Sequence, residues 1–290
     1  MDYPKISIVT PNFNGAAYLE ETILSVVSQN YPNLEYIIID GGSTDNSVEI
    51  IKKYENQLAL WISEPDKGMY HAIQKGFDRS TGEIMAWINS DDMYHRNALF
   101  TVSEIFSSFE EVRWLVGAST VYDEYNRTVS VEQSRHFTKF DIYNYDYKWI
   151  QQESIFWKRS LWDDAGSTFD KSLKYAGDFA LWLKYFSSEK LYVTNALIGG
   201  FRFRKENQIT LNHLDDYIKE VESLLLRVEL NKNETKILRR YKKLLAVEKT
   251  IKKLKLLRRD WLIAHFREKY FQPPKRIEFD RYSMKFVLIG

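Results

Sequence analysis

Cysteine is absent from this chain of 290 residues. Its absence excludes a disulfide framework and any zinc site built from thiolates. The sequence also lacks an uncharged apolar run of the ~18–20 residues that a helix needs to cross a bilayer. Residues 1–5 lead directly into an apolar segment, without the pattern of a signal peptide. We therefore expect a cytoplasmic protein without a membrane-spanning helix.

The net charge is small, but it is unevenly distributed. The formal value for the whole chain is +1. Residues 232–276 contain sixteen lysines and arginines against four acidic residues, so the rest of the chain is acidic. Such asymmetry between parts of a chain indicates a polyanionic partner for the basic part.

Short apolar strands alternate with helical segments in the first 107 residues, as in parallel βαβ units. Glu35–Asp40 is almost continuously apolar, which is typical of a strand buried on both faces. Residues 1–107 are therefore expected to form a doubly wound half. The expected strands are Lys5–Thr10, Glu35–Asp40, Leu58–Ile62 and Glu83–Ile88, and the expected helices are Ala16–Gln29, Ser47–Glu55 and Met69–Arg79.

The pattern loosens after residue 107. Residues 108–210 are expected to complete the α/β domain, and residues 211–290 to form a basic α-helical extension. Phe137–Ile150 is expected to be a loop, and the apolar Met284–Ile289 to add a strand or to dock on the body. The other expected elements are strands Trp114–Val116, Thr128–Val131, Ser154–Trp157 and Leu197–Phe203, helices Ser160–Ala165 and Phe179–Phe186, and two helices between Asp215 and Tyr270 that break near Asn231–Asn233.

Three of the expected strands end in short polar segments, called tips below. Open parallel sheets bind ligands beyond the carboxyl ends of their strands. The first two tips are Ser7–Asn14 and Ile39–Asp45. Paired glycines in the second would let a ligand approach the backbone. Asp40 would then accept hydrogen bonds from a base or ribose; the alternative is a plain turn. Asp45 is expected to cap the next helix, and the absence of a following Gly-Lys-Ser/Thr argues against a P-loop.

The third tip, Asn89–Asp92, contains two adjacent carboxylates. Because adjacent carboxylates repel each other, ionisation of both calls for a cation such as Mg²⁺ or Mn²⁺. The alternative is an N-cap for a helix expected at His95–Ser107. Lys67 and Asp178 each have two interpretations. Lys67, near a helix start, either binds a phosphate or is a solvated loop residue. Asp178 is either a general base or a helix cap.

In this order and spacing, the segments resemble the family 2 glycosyltransferases of the GT-A fold. The resemblance covers roughly residues 4–210; Ser63–Tyr70 and Gln151–Gln152 are similar to the branch that builds bacterial surface polysaccharides. It implies a mostly parallel, doubly wound α/β sheet with a nucleotide-binding half (1–107) and an acceptor half (108–210). The segments that carry it are Ser7–Asn14, Tyr36–Asp45, Asp66–Gly68, Asn89–Asp92 and Gly177–Trp182.

The resemblance also implies an activity and a set of site residues. A sugar would pass, with inversion, from a nucleotide diphosphate sugar to a hydroxyl of a glycan or lipid-linked acceptor. Asp178 would be the catalytic base, and Asp91 would bind a divalent cation, Mn²⁺ or Mg²⁺, that bridges the diphosphate. The nucleotide would contact Pro11, Phe13, Asp40, Asp66, Lys67 and Asn89, and the sugar and acceptor cleft would be lined by Trp149, Gln151, Gln152, Glu153 and Arg204.

Two positions depart from the family pattern. Asn89 replaces the first acid of the family's Asp-x-Asp motif, and Arg204 lies in the stretch where the family often has a metal-binding histidine. A guanidinium does not ligate a cation but neutralises a diphosphate directly. Two alternatives stay open: a nucleotide-sugar-binding paralogue without transferase activity, and a sugar nucleotidyltransferase. The latter needs a basic residue that Asn12–Ala17 lacks.

The basic segment also has an apolar helical face. This face is expected to pack on the catalytic body or on a second subunit, as in a homodimer. The cations on the other faces would hold the protein to the anionic inner surface of the cytoplasmic membrane, near a lipid-linked acceptor. No nucleic-acid readout module accompanies the charge, so nucleic acid is not an expected partner. The apolar residues recur in steps of three and four: Ile237, Tyr241, Leu244, Val247, Ile251, Leu254, Leu257, Trp261 and Ala264.

Overall fold

The computed structural model describes residues 3–204, 212–253 and 260–289. The strands are β1 (Ile6–Asn12), β2 (Leu34–Asp40), β3 (Leu60–Ser63), β4 (Ile84–Trp87), β5 (Met93–Tyr94), β6 (Trp114–Val116), β7 (Ser119–Tyr122), β8 (Thr128–Glu132), β9 (Ile155–Lys158), β10 (Tyr192–Val193), β11 (Gly199–Arg202), β12 (Arg276–Asp280) and β13 (Lys285–Ile289). The helices are α1 (Leu19–Val27), α2 (Ser47–Lys53), α3 (Met69–Phe77), α4 (Ala98–Ser108), α5 (Lys139–Tyr143), α6 (Arg159–Asp164), α7 (Gly177–Ser188), α8 (Leu214–Leu226), α9 (Lys232–Lys253) and α10 (Asp260–Tyr270).

A seven-stranded sheet forms the centre, in the order β10-β6-β9-β4-β1-β2-β3. β1 pairs in parallel with β2 and β4, and β2 pairs in parallel with β3. β9 runs antiparallel to its neighbours β4 and β6. The sheet is thus mostly parallel, as predicted, and the carboxyl ends of β1, β2 and β4 meet at one edge.

Neighbouring residues of the central strands face opposite sides of the sheet and enter different cores. Val9 and Trp87 belong to one core, whereas Ile8 and Ala86 belong to the other. In the first core the indole of Trp87 stacks on that of Trp182, with ring centroids 5.7 Å apart. Because both faces are covered, the central strands are mostly apolar.

A smaller sheet, in the order β5-β11-β7-β8, lies beside the site edge. β11 pairs antiparallel with β5 and parallel with β7. β5 begins directly after the third tip, and β11 ends at Arg202, so their pairing brings residues 202–204 to Asn89–Asp92. The sequence did not predict β5, β7 or β10, which are short and pair with segments distant in the chain.

Most expected elements are present with shifted ends. The first helix begins at Leu19 rather than at residue 16, and the helix expected from His95 begins at Ala98. The expectation of a loop over 137–150 is wrong in part, because α5 lies within it. α5 begins with a capping box in which Thr138 and Asp141 satisfy each other's backbone N–H groups.

The C-terminal segment differs from the two helices expected there. α9 and α10 pack against each other, with the rings of Tyr241 and Phe266 stacked at 5.9 Å between centroids. The single helix expected from residue 233 to residue 270 is therefore wrong. Leu254 and Leu257 lie outside the described residues. No helix of the described part is long and apolar enough to cross a membrane.

The apolar face of α9 packs only in part. Ile237 and Tyr241 form a small core with Phe140 of α5, which confirms the expected packing on the body for this stretch. Val247 and Trp261 are exposed instead, by 55% and 64%.

The last two strands, β12 and β13, form an antiparallel hairpin. The terminal strand was expected, whereas β12 was not. Ile277 of β12 is fully buried and bridges Thr194, so the hairpin extends one of the two main cores.

Candidate active site

Asp40 ends β2 with a fully buried carboxylate. It accepts hydrogen bonds from the Asn12 amide (2.7 Å), the Ser63 hydroxyl (2.6 Å), and the hydroxyl and backbone N–H of Ser43 (2.5 and 3.0 Å). Burial by itself raises the pKa of Asp40, but these donors outweigh it and lower the pKa below its usual value. Asp40 therefore ties β1, β2 and β3 together at the site edge. Its contact with a base stays a prediction.

Gly41 makes room for Asp66. A Cβ atom on Gly41 would lie only 2.9 Å from Oδ2 of Asp66. The other oxygen of Asp66 accepts a hydrogen bond from the backbone N–H of Gly68 (2.7 Å). This bond shapes the loop that carries the exposed Lys67 into α3. The structure thus places Asp66 and Lys67 beside the second tip.

The first tip has a buried and an exposed part. Pro11 lies inside β1, whereas Phe13, just beyond the strand, is 66% exposed. An exposed aromatic ring at this edge offers a stacking surface. Asp45 accepts hydrogen bonds from the backbone N–H groups of Ala16 and of Ser47, the first residue of α2, both at 3.0 Å. Asp45 was expected to cap this helix, but the N-cap position of α2 is Asn46, so Asp45 instead joins the first tip to the start of α2.

Two amide oxygens at this edge have no hydrogen-bond partner among the residues that the structure describes. They are the buried Oδ1 atoms of Asn12 and Asn89. Gly15 brings the first and third tips together, since a Cβ atom there would lie 2.3 Å from Oδ1 of Asn12 and 2.8 Å from the Ser90 hydroxyl. A buried acceptor without a donor costs about 1–3 kcal/mol. A ligand hydroxyl or N–H would remove that cost.

Asp92 is buried and does not cap a helix, so the capping alternative for the third tip is wrong. It accepts hydrogen bonds from the backbone N–H of Arg202 (2.8 Å) and from the Asn89 amide (3.0 Å). A side-chain hydrogen bond also joins Asp92 and Glu153. Burial, and then mutual repulsion of the carboxylates, raises the pKa of Asp92 well above its usual range, and burial raises that of Glu153 to about 7.

Asp92 and Glu153 are therefore two neighbouring buried carboxyl groups, and the pKa of each is raised. That ionisation of both Asp91 and Asp92 would call for a cation stays a prediction.

Asp91 forms an ion pair with Arg204. The Nη2 atom of Arg204 lies 2.6 Å from Oδ2 of Asp91, and each side chain is 22% exposed. Burial raises the pKa of Asp91, and the charge of Arg204 opposes this shift. The fully buried Arg202 holds the backbone of Asp91 in place. Its Nε atom donates a hydrogen bond to the backbone oxygen of Asp91 (2.6 Å), and its guanidinium forms an ion pair with Glu21.

The residues of this edge do not fit a divalent cation well. Within residues 3–204, 212–253 and 260–289, no group of three or more histidine and acidic side chains is arranged to hold a metal. Mg²⁺ and similar ions take one or two carboxylates together with substrate phosphates. Asp91 would also have to give up, or share, its ion pair with Arg204. Metal binding at Asp91 stays a prediction.

Asp178 lies at the start of α7 and is partly exposed. It accepts hydrogen bonds from the backbone N–H of Phe179 (2.7 Å) and from the Tyr70 hydroxyl (3.3 Å). Burial raises the pKa of Asp178 to about 6, and these two bonds oppose the rise. At neutral pH the carboxylate is ionised and more basic than an ordinary aspartate, which suits a general base.

Helix α8 adds two residues that the sequence reasoning missed. Glu220 accepts hydrogen bonds from the backbone N–H groups of residues 174–176, at 2.8 to 3.0 Å, and so fixes the segment before Asp178. Burial, and then the charge of Asp178, raises the pKa of Tyr217. The sequence signal for packing of α8 on the body was the four-residue spacing of the apolar Val221 and Leu225. Both side chains belong to the core that contains Trp87.

The residues expected in the sugar and acceptor cleft differ in exposure. Trp149 is 52% exposed. Gln151 exchanges two hydrogen bonds with the backbone of Thr120 (2.8 and 2.6 Å), and the buried Gln152 donates to the backbone oxygen of Trp87 (2.7 Å). The two glutamines therefore join the small sheet to the large one. That they also line the cleft stays a prediction.

The model of glycosyl transferase family 2 matches residues 7–158, which span the three tips and β9. The chain belongs to glycosyltransferase family 2. This match does not favour the sugar nucleotidyltransferase or the inactive paralogue.

Curated relatives agree with this assignment. An uncharacterized glycosyltransferase of Rickettsia prowazekii is 25% identical over 222 residues, which are 74% of this chain and 69% of the relative. The putative teichuronic acid biosynthesis glycosyltransferase TuaG of Bacillus subtilis is 33% identical over 99 residues, which are 33% of this chain and 39% of TuaG.

Solved structures confirm the predicted GT-A fold of the glycosyltransferase. S. aureus TarS 1–349 in complex with UDP-GlcNAc has a TM-score of 0.63 at 18% identity, covering 81% of this chain and 70% of that one. The mannosyltransferase PcManGT from Pyrobaculum calidifontis, in complex with GDP-Man and Mn²⁺, has a TM-score of 0.61 at 16% identity, covering 81% and 67%.

Proposed function

We propose that this glycosyltransferase transfers a sugar from a nucleotide diphosphate sugar to a hydroxyl of a growing glycan or lipid-linked acceptor, with inversion at the anomeric carbon. The observation that carries the proposal is Asp178. It is a partly exposed carboxylate with a raised pKa, held in place by Tyr70 and α7. TuaG, a putative teichuronic acid biosynthesis enzyme, supports a polysaccharide acceptor.

The donor would bind at the three tips. The exposed ring of Phe13 would stack on the base, and the Oδ1 atoms of Asn12 and Asn89 would accept hydrogen bonds from the base or ribose. Lys67, exposed at the start of α3, would contact phosphate. The nucleotide sugars bound to TarS and to PcManGT support this class of donor.

The chemistry is a single displacement. Asp178 takes the proton of the acceptor hydroxyl as its oxygen attacks the anomeric carbon, and the bond from that carbon to the diphosphate breaks. The nucleoside diphosphate leaves with the electron pair of that bond. Attack from the face opposite the leaving group inverts the configuration.

The basic helix α9 would hold the enzyme to an anionic membrane surface. Its exposed cations include Lys236, Arg239, Lys242, Lys243 and Lys249. Each Lys or Arg near such a surface contributes about 1 kcal/mol to binding. This contact would be peripheral, and it would bring a lipid-linked acceptor to the cleft.

The proposal is tested with Asp178→Asn in a transfer assay over a panel that includes UDP-GlcNAc and GDP-mannose. The amide keeps the shape but does not take a proton, so we expect a loss of about 10²–10⁴-fold in kcat with nucleotide affinity retained. The control is Asp78→Asn, an exposed position just after α3. Transfer by Asp178→Asn within tenfold of the parent would contradict the assignment.

A further inference from the structure

We infer that Trp149 and Tyr217 together form the binding site for a sugar ring of the acceptor, beside Asp178. The inference rests on the proposed function, and it adds the chemical class that the acceptor presents to the base. The site extends beyond the segment that the family model matches, which ends at residue 158, because Tyr217 lies on α8. The C-terminal part of the chain therefore supplies one wall of the acceptor site.

The rings of Trp149 and Tyr217 are neighbours that do not cover each other. Their centroids lie 6.2 Å apart, and their planes are inclined by 50°. Two rings at this angle form a corner rather than a closed stack. The Trp149 side chain is 52% exposed, even with Nζ of Lys148 at 5.4 Å from its ring centroid. Aromatic surface is therefore accessible to a ligand at this corner.

Helix α8 turns Tyr217 towards the segment that precedes the proposed base. His213, the residue before α8, stacks on Tyr175 with ring centroids 4.8 Å apart. Glu220 accepts hydrogen bonds from the backbone N–H groups of residues 174–176. Tyr217 donates its backbone N–H to the backbone oxygen of His213 (2.9 Å) and lies three residues before Glu220. Residues at these spacings share one face of a helix, so Tyr217 faces the same segment.

The segment that carries Trp149 reaches the proposed base from another direction. Two residues before Trp149, the ring of Tyr147 packs against that of Phe179, with centroids 5.2 Å apart. Phe179 follows Asp178 in α7, and its backbone N–H donates a hydrogen bond to that carboxylate (2.7 Å). Residues 147–149 and α8 therefore place aromatic rings on two sides of the start of α7.

The corner belongs to the acceptor rather than to the donor. A general base has to lie within hydrogen-bond reach of the acceptor hydroxyl, so the acceptor binds next to Asp178. The three tips proposed for the donor follow β1, β2 and β4, whereas Trp149 precedes β9 and Tyr217 belongs to α8. Different elements of the fold therefore form the two sites.

The chemistry of the corner favours a sugar ring over a phosphate or a lipid chain. The face of an aromatic ring is negative, so it attracts the C–H groups on one face of a pyranose and repels a phosphate anion. A long lipid chain needs a continuous apolar surface. The exposed, charged Asp146 and Lys148 lie beside Trp149 in the chain and interrupt such a surface.

A purely structural contact would predict different kinetics. If Trp149 only packed its segment on α8, its replacement would change the stability of the fold and leave the KM for the acceptor unchanged. If the two rings bind the acceptor sugar, loss of either ring raises the acceptor KM at nearly constant kcat and donor KM.

The binding experiment is saturation-transfer NMR of the full chain with methyl β-glycosides of glucose, galactose, N-acetylglucosamine and glucuronic acid. Glycerol 3-phosphate is the probe without a ring. The glycoside with the strongest signal then serves as the acceptor in steady-state transfer, with the nucleotide sugar that the parent uses.

The variants are Trp149→Ala and Tyr217→Ala, each accompanied by its ring-retaining Phe variant. The matched control is Trp261→Ala, because Trp261 is exposed by 64% on α10. Trp149 is half-exposed, so Trp149→Ala decides the outcome where Tyr217→Ala has a lower melting temperature.

We expect the parent to saturate ring C–H protons of at least one glycoside and to leave glycerol 3-phosphate unsaturated. Trp149→Ala and Tyr217→Ala should each raise the acceptor KM by about tenfold, since an aromatic face is lost. Their kcat and donor KM should stay within about threefold of the parent. Both Phe variants and Trp261→Ala should resemble the parent in acceptor KM.

Saturation of no glycoside by the parent would overturn this inference and leave the proposed function intact. The same holds if Trp149→Ala and Trp261→Ala have equal acceptor KM, or if the donor KM rises as much as the acceptor KM. Failure of the parent to bind or use any nucleotide sugar would overturn the proposed function as well.

Discussion

The hydroxyl of Tyr70 lies 3.3 Å from Oδ1 of Asp178 and 2.9 Å from the backbone oxygen of Tyr175. The approach requires Gly177, because a Cβ atom there would lie 2.8 Å from the ring of Tyr70. Tyr70 belongs to α3 of the half with the nucleotide tips, and Asp178 belongs to α7. The Tyr70–Asp178 hydrogen bond therefore connects the half that is expected to bind the nucleotide sugar with the residue that is expected to be the catalytic base.

The first prediction concerns the pH dependence of transfer. With a pKa of about 6 for Asp178, kcat/KM should fall as the pH drops through that value. Tyr70→Phe removes a hydrogen bond that lowers this pKa, so the acid limb should move to higher pH. A pH–rate profile of both proteins measures the shift. An acid limb near the ordinary aspartate value of about 4 would contradict the role of Asp178.

The second prediction concerns Glu220 as a positioning residue. Glu220→Gln replaces an acceptor with a donor opposite the N–H groups of residues 174–176, so the start of α7 should loosen. We expect kcat to fall by about tenfold or more, because small displacements of a base are costly, with little change in donor KM. The control is Glu222→Gln, exposed on the same helix. Equal kinetics for the two variants would speak against the clamp.

The third prediction concerns Asp40. Its folded-state pKa is lowered, so its charge stabilises the protein above the unfolded pKa, and this contribution is lost as the pH falls through the folded value. Asp40→Asn should lower the free energy of unfolding at pH 7 by about 3 kcal/mol, since buried donors lose their acceptor. Urea unfolding measures this, with Ser63→Ala as a milder variant.

The same change tests the nucleotide site. Because Asp40 holds Asn12 and Ser43, loss of its carboxylate should also weaken binding of the free nucleotide. Unchanged nucleotide affinity in calorimetry, together with unchanged stability, would be incompatible with a role for Asp40 in the site edge.

The fourth prediction concerns the membrane contact of α9. The parent should bind anionic liposomes at low salt and release them as salt rises, since screening weakens surface charges. Lys242→Glu with Lys243→Glu should lower this binding by more than about tenfold, at ~1 kcal/mol per charge. Lys52→Glu with Lys53→Glu, an exposed pair on α2, is the matched control. Equal loss in both double variants, or no binding by the parent, would rule out the contact.

The nucleotide half and its tips were predictable because their signals are local. Continuous apolar runs such as Glu35–Asp40 encode strands that are covered on both faces. The polar residues after them mark the strand ends, and parallel strands bring those ends to one edge. The sequence therefore identified the fold and the candidate base Asp178. It did not predict the short strands β5, β7 and β10, whose pairing depends on contacts with distant segments.

By itself, then, the sequence determined the α/β class, the family and the order of the tips, since strand patterns and glycine turns act within a few residues. The tertiary structure alone decided which charges meet. Pairing of β5 with β11 places Arg204 on Asp91, and burial raises the pKa of the neighbouring carboxyl groups of Asp92 and Glu153. The state of a carboxylate depends on its surroundings in space, and residues far apart in the chain supply those surroundings.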